Sequence, residues 1–446
     1  MKSVSKSAIY TVLAQIPSQF FGVLAGIFIT RMLGPEGRGV YALFFADISL
    51  LSTILGFSVG TAITFYISNQ KIAREKTIGI SLLFSAITIL LSFIVFAIWM
   101  NTPFAEIFIP ENSATSSFII IFSCFIVINQ IDVLYASFFQ GEQRFETVNF
   151  VLIVNSLFNF SLYGILFLLN RFELYTVGIE EVLLVALIVM TANALHWHLH
   201  FRKNYSYQFS FQLSWKKDIQ PFIRFMGLDH LANIVTFFNN RLVLWIIAFY
   251  MSNEYVGLFA LAFGITQLLT MLSAPLSQVL FPVIWAKDGK KHMKTFILFA
   301  RAHFSILLLL SVLGLIVTPY VLPFVYGIDF SASVLPLQIM FIPAIFSCQT
   351  KIISGILFAE NKVKIYLFSA LTGLVVTLAL NFTLIPAIGI EGAAIASSLS
   401  FVTTFIVVYI ALVLIIKLPS NNLFFLTKSD WKKIKTKLKY ARTPKV

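Results

Sequence analysis

Residues 78–100 read IGISLLFSAITILLSFIVFAIWM, 23 positions without one ionisable side chain. A bilayer core about 30 Å thick takes roughly 20 apolar residues of helix, so this stretch reads as a membrane span. Working outward from it with the same ruler gives twelve spans, at 7–30, 38–68, 78–100, 114–138, 147–170, 176–200, 220–250, 254–285, 294–318, 332–358, 364–386 and 390–416. The rest of the composition agrees. Of 446 residues, 59% are hydrophobic and 11% charged, the mean hydropathy is +0.90, and 48 positions are Phe. A water-soluble domain carries about 25% charged residues, which excludes soluble enzymes, nucleic-acid readers, disordered scaffolds and disulfide-stapled secreted modules. Cys124 and Cys348 lie in apolar stretches and read as buried small residues, not as a redox or metal pair.

The net charge of +13 is unevenly placed. Segments on the side of the N-terminus hold 25 of the 32 basic residues, opposite segments hold Arg31, Arg38 and Arg171, and Arg224, Arg241, Arg301 and Lys351 fall within spans. The positive-inside rule then expects both termini in the cytoplasm. Beyond residue 416 a tail with nine basic residues, and Trp431, Ile434 and Leu438 on one helical face, reads either as an interfacial helix on anionic membrane lipids or as a disordered end.

A basic, Tyr/Ser-rich connector near 201–218 divides the spans six and six. Shifting the sequence by 218 positions lays Glu36, Gly39, Ala42, Leu43 and Phe45 on Glu254, Gly257, Ala260, Leu261 and Phe263, and Glu142 on Glu360; a nearby shift matches Gly178-Ile-Glu180 to Gly389-Ile-Glu391. An even number of spans per half makes the repeats parallel. The expectation is an all-α integral membrane protein of twelve transmembrane helices, in two six-helix lobes (1–210 and 211–416) related by a pseudo-two-fold axis along the membrane normal, with a tail at 417–446.

Charges inside the bilayer cost about 2.5–3.5 kcal/mol each on insertion scales, so Asp47, Asp132, Asp229, Arg241 and Lys351 need partners or water. Asp229, Asn233, Thr236 and Asn240 share one face of span 7, which reads as cavity lining, or otherwise as an interhelical hydrogen-bond seam. Gln15 and Gln19 place a similar stripe on span 1, beside Pro17, while Gly22-x-x-x-Gly26 there reads as close helix packing. His196, His198 and His200 read as interfacial anchors in preference to a metal cluster. No Gly-x-x-x-x-Gly-Lys-[Ser/Thr] loop is present, so the expected drive is an H⁺ or Na⁺ gradient acting on Asp229, or else on Asp47 or Asp132.

Arg31-Met-Leu-Gly-Pro-Glu-Gly-Arg-Gly-Val-Tyr-Ala-Leu43 resembles the signature of bacterial polysaccharide exporters, the Wzx-type flippases of O-antigen and capsule, in the wider superfamily of lipid II flippases and MATE-like multidrug extruders. Asn240-Arg241 through Gly257-Leu-Phe-Ala-Leu261, Phe324-Val-Tyr-Gly327, and Asn381-Phe-Thr-Leu-Ile-Pro386 followed by Gly389-Ile-Glu-Gly-Ala-Ala-Ile-Ala396 resemble it too. The resemblance implies a non-enzymatic transporter of the cell (inner) membrane that turns an undecaprenyl-pyrophosphate-linked oligosaccharide to the outer leaflet, with a glycan polymerase or chain-length regulator as partner. It implies ion coupling at Asp229 with Asn381. Arg241, Lys351 and Arg31 would attract the pyrophosphate, and Asn233, Asn240, Gln15 and Gln19 would bond sugar hydroxyls. The competing readings are a multidrug/toxin cation antiporter of similar architecture and a membrane glycan polymerase. The latter needs a sizeable catalytic outer loop that the sequence lacks.

Overall fold

The computed structural model describes residues 2–102, 116–205, 209–284, 289–359, 362–415, 423–428 and 430. Within them the regular structure is helical throughout: α1 (Lys2–Leu55), α2 (Val59–Asn69), α3 (Arg74–Met100), α4 (Ser116–Gly141), α5 (Phe145–Arg171), α6 (Ile179–Asn204), a π turn (Trp215–Ile219) leading into α7 (Gln220–Tyr250), α8 (Asn253–Ile284), α9 (Gly289–Tyr326), a 3-10 turn (Ile328–Ser333), α10 (Val334–Ala359) and α11 (Val363–Ile415). Ten of these are long and apolar enough to cross a membrane.

Two of the ten are double. At 1.5 Å per residue a helix the length of α1 or α11 would run about 80 Å, more than twice the hydrocarbon thickness. Each is broken by a glycine in the left-handed region, Gly34 at φ 64° and Gly389 at φ 67°, where an L side chain would pay about 1–2 kcal/mol and glycine pays nothing. Pro35 then supplies a preset φ for the first turn of the next helix. Counting each flank separately recovers the twelve expected spans.

The second span departs from expectation. Instead of one helix over 38–68, the helix from 35 stops at Leu55, bends through Phe57 and Ser58, both in the left-handed region, and resumes as α2. Polar side chains from three neighbours hold the bend. Thr88 Oγ1 of α3 donates to the freed Leu55 carbonyl (2.9 Å), Asn233 Nδ2 of α7 to Ser58 Oγ (2.9 Å), and Asn129 Nδ2 of α4 to Ser52 Oγ (2.5 Å). In lipid no water can satisfy such groups, so the neighbours must.

The chain forms two compact units. The first comprises Met1–Leu261, Leu322–Ser333 and Asn381–Ile390; the second comprises Ala262–Val321, Val334–Leu380 and Glu391–Val446. Phenylalanine carries much of the packing in the first. Phe44 presents its ring edge-to-face to Phe118, Phe122 and Phe125 at 5.2, 5.4 and 5.2 Å, all four fully buried. Since lipid tails are as apolar as the side chains, helix association rests on such shape and quadrupole matching.

The repeat seen in the sequence becomes a physical contact in this unit. A Cβ on Gly39 would lie 1.8 Å from the Asn253 carbonyl oxygen, and a Cβ on Gly257 would lie 1.9 Å from the Pro35 carbonyl oxygen. Asn253 and Gly257 are the positions that the 218-residue shift lays on Pro35 and Gly39. Each glycine therefore accepts the backbone of its equivalent's helix start, the reciprocal contact that a two-fold axis generates. Gly22 and Gly26, by contrast, have no neighbouring atom within 4 Å of an added Cβ. Among the described residues the expected close packing through them is absent.

Each unit is fastened by an aspartate, in the first unit at the end where its basic connectors lie. Asp218, in the π turn, accepts from Lys76 Nζ of α3 (2.8 Å) and from the Ser214 amide (2.8 Å). In the second unit Asp430 accepts from Arg301 Nη1 of α9 (2.6 Å), the Thr427 amide (3.0 Å) and Thr427 Oγ1 (2.6 Å). Both aspartates are buried, and each follows a similar run, Phe211-Gln-Leu-Ser214 and Phe424-Phe-Leu-Thr427. Phe424 packs on Phe304, Phe405 and Tyr409, with Leu423 buried beneath. Burial alone would raise the Asp430 carboxyl, but the bonds from Thr427 and Arg301 outweigh it and hold it below the ordinary aspartate value. The expected tail helix with Trp431, Ile434 and Leu438 lies outside the described residues, as does Glu360.

Candidate functional site

The opposite end of the first unit gathers arginines around tyrosines. The helix beginning at Pro35 carries Arg38 and Tyr41 one turn apart, so the Arg38 guanidinium lies over the Tyr41 ring, 5.1 Å from its centroid. Tyr163 of α5 and Tyr326 at the end of α9 are near enough for their hydroxyls to act on its charge. Tyr163 is itself fixed by donating to the Val182 carbonyl (3.0 Å). Arg38 Nε is shielded from solvent with no hydrogen bond. Arg241 of α7 is exposed, and the charge of Arg38 acts on it. None of the three ion pairs among the described residues includes either arginine.

Two like charges that feel each other and enter no ion pair among the described residues, on segments apolar enough to span a bilayer, are costly. Such a pair is relieved by a ligand bearing more than one negative charge, and guanidinium forks match phosphate oxygens in pairs. The tyrosines add a rigid aromatic wall around the fork. The sequence reading sets Arg38 at the first position of span 2 and sorts it with the segments opposite the N-terminal side; the helix in fact starts three residues earlier, at Pro35, and takes Arg38 into the bundle. The Pro35 start and the Arg38-x-x-Tyr41 spacing were the signals that could have shown it.

The remaining candidates are distributed as follows. Arg31 donates through Nε to the Val325 carbonyl (2.6 Å) and through Nη2 to that of Phe324 (2.5 Å), so it clamps the end of α9. Asn233 is exposed and reaches the bend at Ser58, while Asn240 Nδ2 donates to its own helix at Thr236 O (2.8 Å). The Asp229 side chain lies outside the described residues. Gln15 and Gln19 are half-buried on the first half of α1. Asp47 is sealed, 1% exposed, and accepts from Trp245 Nε1 (2.8 Å). Asp132 is half-buried and accepts from Asn193 Nδ2 (2.6 Å). Asn381 is fully buried in α11. Lys351, in the second unit, is exposed on α10 near Cys348. The sequence reading did not find the partners Trp245 and Asn193, which lie far along the chain from their aspartates. His196 and His200 meet Phe150 edge-to-face, and His198 Nδ1 pairs with the Tyr135 hydroxyl (3.0 Å). Cys348 is buried as expected, but Cys124 is only partly so.

Comparison with known proteins places this frame. Residues 4–287 match the family model described as polysaccharide biosynthesis protein. The chain is 23% identical over 392 residues, 86% of its length and 77% of the relative's, to a probable low-salt glycan biosynthesis flippase, Agl15, of Haloferax volcanii. Among solved structures, an inward-facing multidrug resistance MATE family transporter of the MOP superfamily aligns with a TM-score of 0.71 at 16% identity, covering 98% of this chain and 100% of that one. The lipid II flippase MurJ in an inward closed conformation aligns at 0.66 and 14% identity, covering 98% and 94%. The fold is therefore that of the MATE and MurJ transporters, and the protein is a multi-pass membrane protein. The family match runs through both turns of the Gly39–Gly257 crossing and both arginines, and the chain belongs to the polysaccharide biosynthesis protein family.

Proposed function

We propose that this protein flips a polyprenyl-pyrophosphate-linked oligosaccharide, undecaprenyl-linked in a bacterial cell membrane, from the cytoplasmic to the outer leaflet by ion-coupled alternating access of two six-helix lobes. The observation that carries the reading is that Arg38 acts on Arg241 while neither enters an ion pair among the described residues, a concentration of positive charge whose chemistry suits a pyrophosphate. The end with the basic connectors is the cytoplasmic one, by the positive-inside rule. A sugar head group dragged through hydrocarbon strands its hydroxyls at a cost on the order of several kcal/mol each, which a polar path past Gln15, Gln19, Asn233 and Asn240 lowers. Lys351 is a further cation for the same cargo.

The coupling ion is H⁺ or Na⁺, for which a membrane potential supplies about 2.3 kcal/mol per charge per 100 mV. Of the candidate carriers, half-buried Asp132 is better placed than Asp47, which Trp245 seals, with Asp229 and Asn381 as the other candidates. A cation antiporter of drugs would want an acidic cavity, and the arginine pair argues against it.

The test is deletion of the gene followed by analysis of lipid-linked oligosaccharides. Accumulation of one such species on the inner leaflet, reproduced by Arg38→Gln with Arg241→Gln at normal membrane abundance, is the expected result. Full glycan display by that double variant would overturn the role given to the pair.

A further inference from the structure

A second feature of the first unit lies away from the arginine pair, near the basic end. A groove of about 520 Å³ runs between α2, α3, α4 and α6, lined by Ile63, Leu82, Ile131, Phe138 and Leu195 and roofed by Phe209 of the connector. Its size falls in the range of small-molecule sites, about 300–1,000 Å³. The roof is fastened: the Ser210 amide donates to the Glu75 carbonyl (3.0 Å), and the Ser210 carbonyl oxygen lies 2.2 Å from where a Gly79 Cβ would be. Leu195 and Phe209 are more than half exposed, so the groove opens sideways, toward lipid.

The wall at the basic end is cationic. The Arg74 guanidinium lies 4.9 Å from the centroid of the groove-lining Phe138 and 4.4 Å from that of Tyr205, and Arg144 lies 4.9 Å from the Tyr205 centroid on its own account. The charges acting on Tyr205 are Arg74, Arg144 and Glu142, a net of one positive, with Glu142 3.4 Å from Arg74. Arg144 stays exposed. An apolar slot open to the bilayer, ending at a guanidinium pair at the depth where the connectors begin, has the polarity of a phospholipid with a negative head group.

We propose that the groove is a resident site for an anionic phospholipid, one acyl chain lying between α3, α4 and α6 and the phosphate on Arg74 and Arg144. The site is independent of the cargo and of the arginine pair at the other end. It is tested by native mass spectrometry of the full chain released from nanodiscs of equal phosphatidylglycerol and phosphatidylcholine. The wild type retains one phosphatidylglycerol at least five-fold in excess over phosphatidylcholine. Thr191→Trp, which puts an indole into the groove from α6, lowers retained lipid of both kinds at least five-fold. Arg74→Gln with Arg144→Gln, which leaves the apolar groove lining itself unchanged, keeps a bound lipid and loses the preference. Equal retention of the two lipids by the wild type, or an unchanged preference in the double arginine variant, overturns the proposal. So does displacement of the bound phospholipid by equimolar polyprenyl phosphate, which would make the groove a cargo-tail site.

Discussion

Replacing Gly39 by Ala tests the pseudo-symmetric crossing directly. The new Cβ would stand 1.8 Å from the Asn253 carbonyl oxygen and 2.8 Å from its carbon, whereas real Cβ contacts do not fall below 3.0 Å. Both obstructing atoms are backbone, so no rotamer change relieves the clash and the two helix starts must separate. Overpacking of this kind costs about 1–3 kcal/mol, occasionally more. Gly257→Ala meets Pro35 O at 1.9 Å and Gly39 N at 2.8 Å, so it forces the same separation and carries the same cost. Because either substitution opens the gap that the other needs, the double variant falls short of the sum of the two by roughly 0.5–3 kcal/mol, the range of coupling between contacting residues. Gly26→Ala, with nothing within 4 Å, is the control; it gains about 0.5–1 kcal/mol of helix propensity. Thermal midpoints of the detergent-solubilised variants, read by fluorescence size-exclusion chromatography, check the series. A Gly39→Ala midpoint at or above that of Gly26→Ala, or strict additivity of the pair, would refute the reciprocal contact.

Three further outcomes are expected. Arg301→Met leaves the Asp430 carboxylate buried without its cation and costs about 3–5 kcal/mol, read as faster tryptic cleavage at Lys428. In the wild type the thermal midpoint loses nothing to this contact from pH 7 to 5 and falls on its account only below about 4, since a carboxyl held under the ordinary value of about 3.9 stabilises above that value and loses its effect as pH falls through its folded one. Thr88→Val strands the Leu55 carbonyl in lipid and costs about 1–3 kcal/mol of thermal stability, whereas Thr88→Ser restores the bond and most of the loss. Asp47→Asn keeps an acceptor for Trp245 and leaves the pH dependence of transport intact, while Asp132→Asn abolishes that dependence; the proteoliposome flux profile between pH 5.5 and 8 separates the two.

Hydropathy and charge gave the spans, their number and their basic side, because a bilayer leaves few alternatives to an apolar helix. The repeat was legible through Glu36-x-x-Gly39 and Glu254-x-x-Gly257, and its physical reason, backbone contact at a two-fold crossing, followed only from coordinates. What the sequence hid were pairings made across long separations. The bend at Phe57–Ser58 has no Pro to mark it, and is held by Thr88, Asn129 and Asn233 from three other helices. Asp47 and Asp132 read as open candidates because their partners, Trp245 and Asn193, are unremarkable residues of apolar helices. Arg38 was misplaced by three residues of helix start, and Arg31, a candidate for pyrophosphate, turned out to hold the end of α9.

The aspartate fastenings also set a timetable for synthesis. Lys76 meets Asp218 across 142 residues and Arg301 meets Asp430 across 129. At about 5–20 residues per second, each cation waits on the order of ten seconds on the nascent chain before its counter-charge has been polymerised. Throughout that interval the half-made protein carries a positive group whose counter-charge does not yet exist.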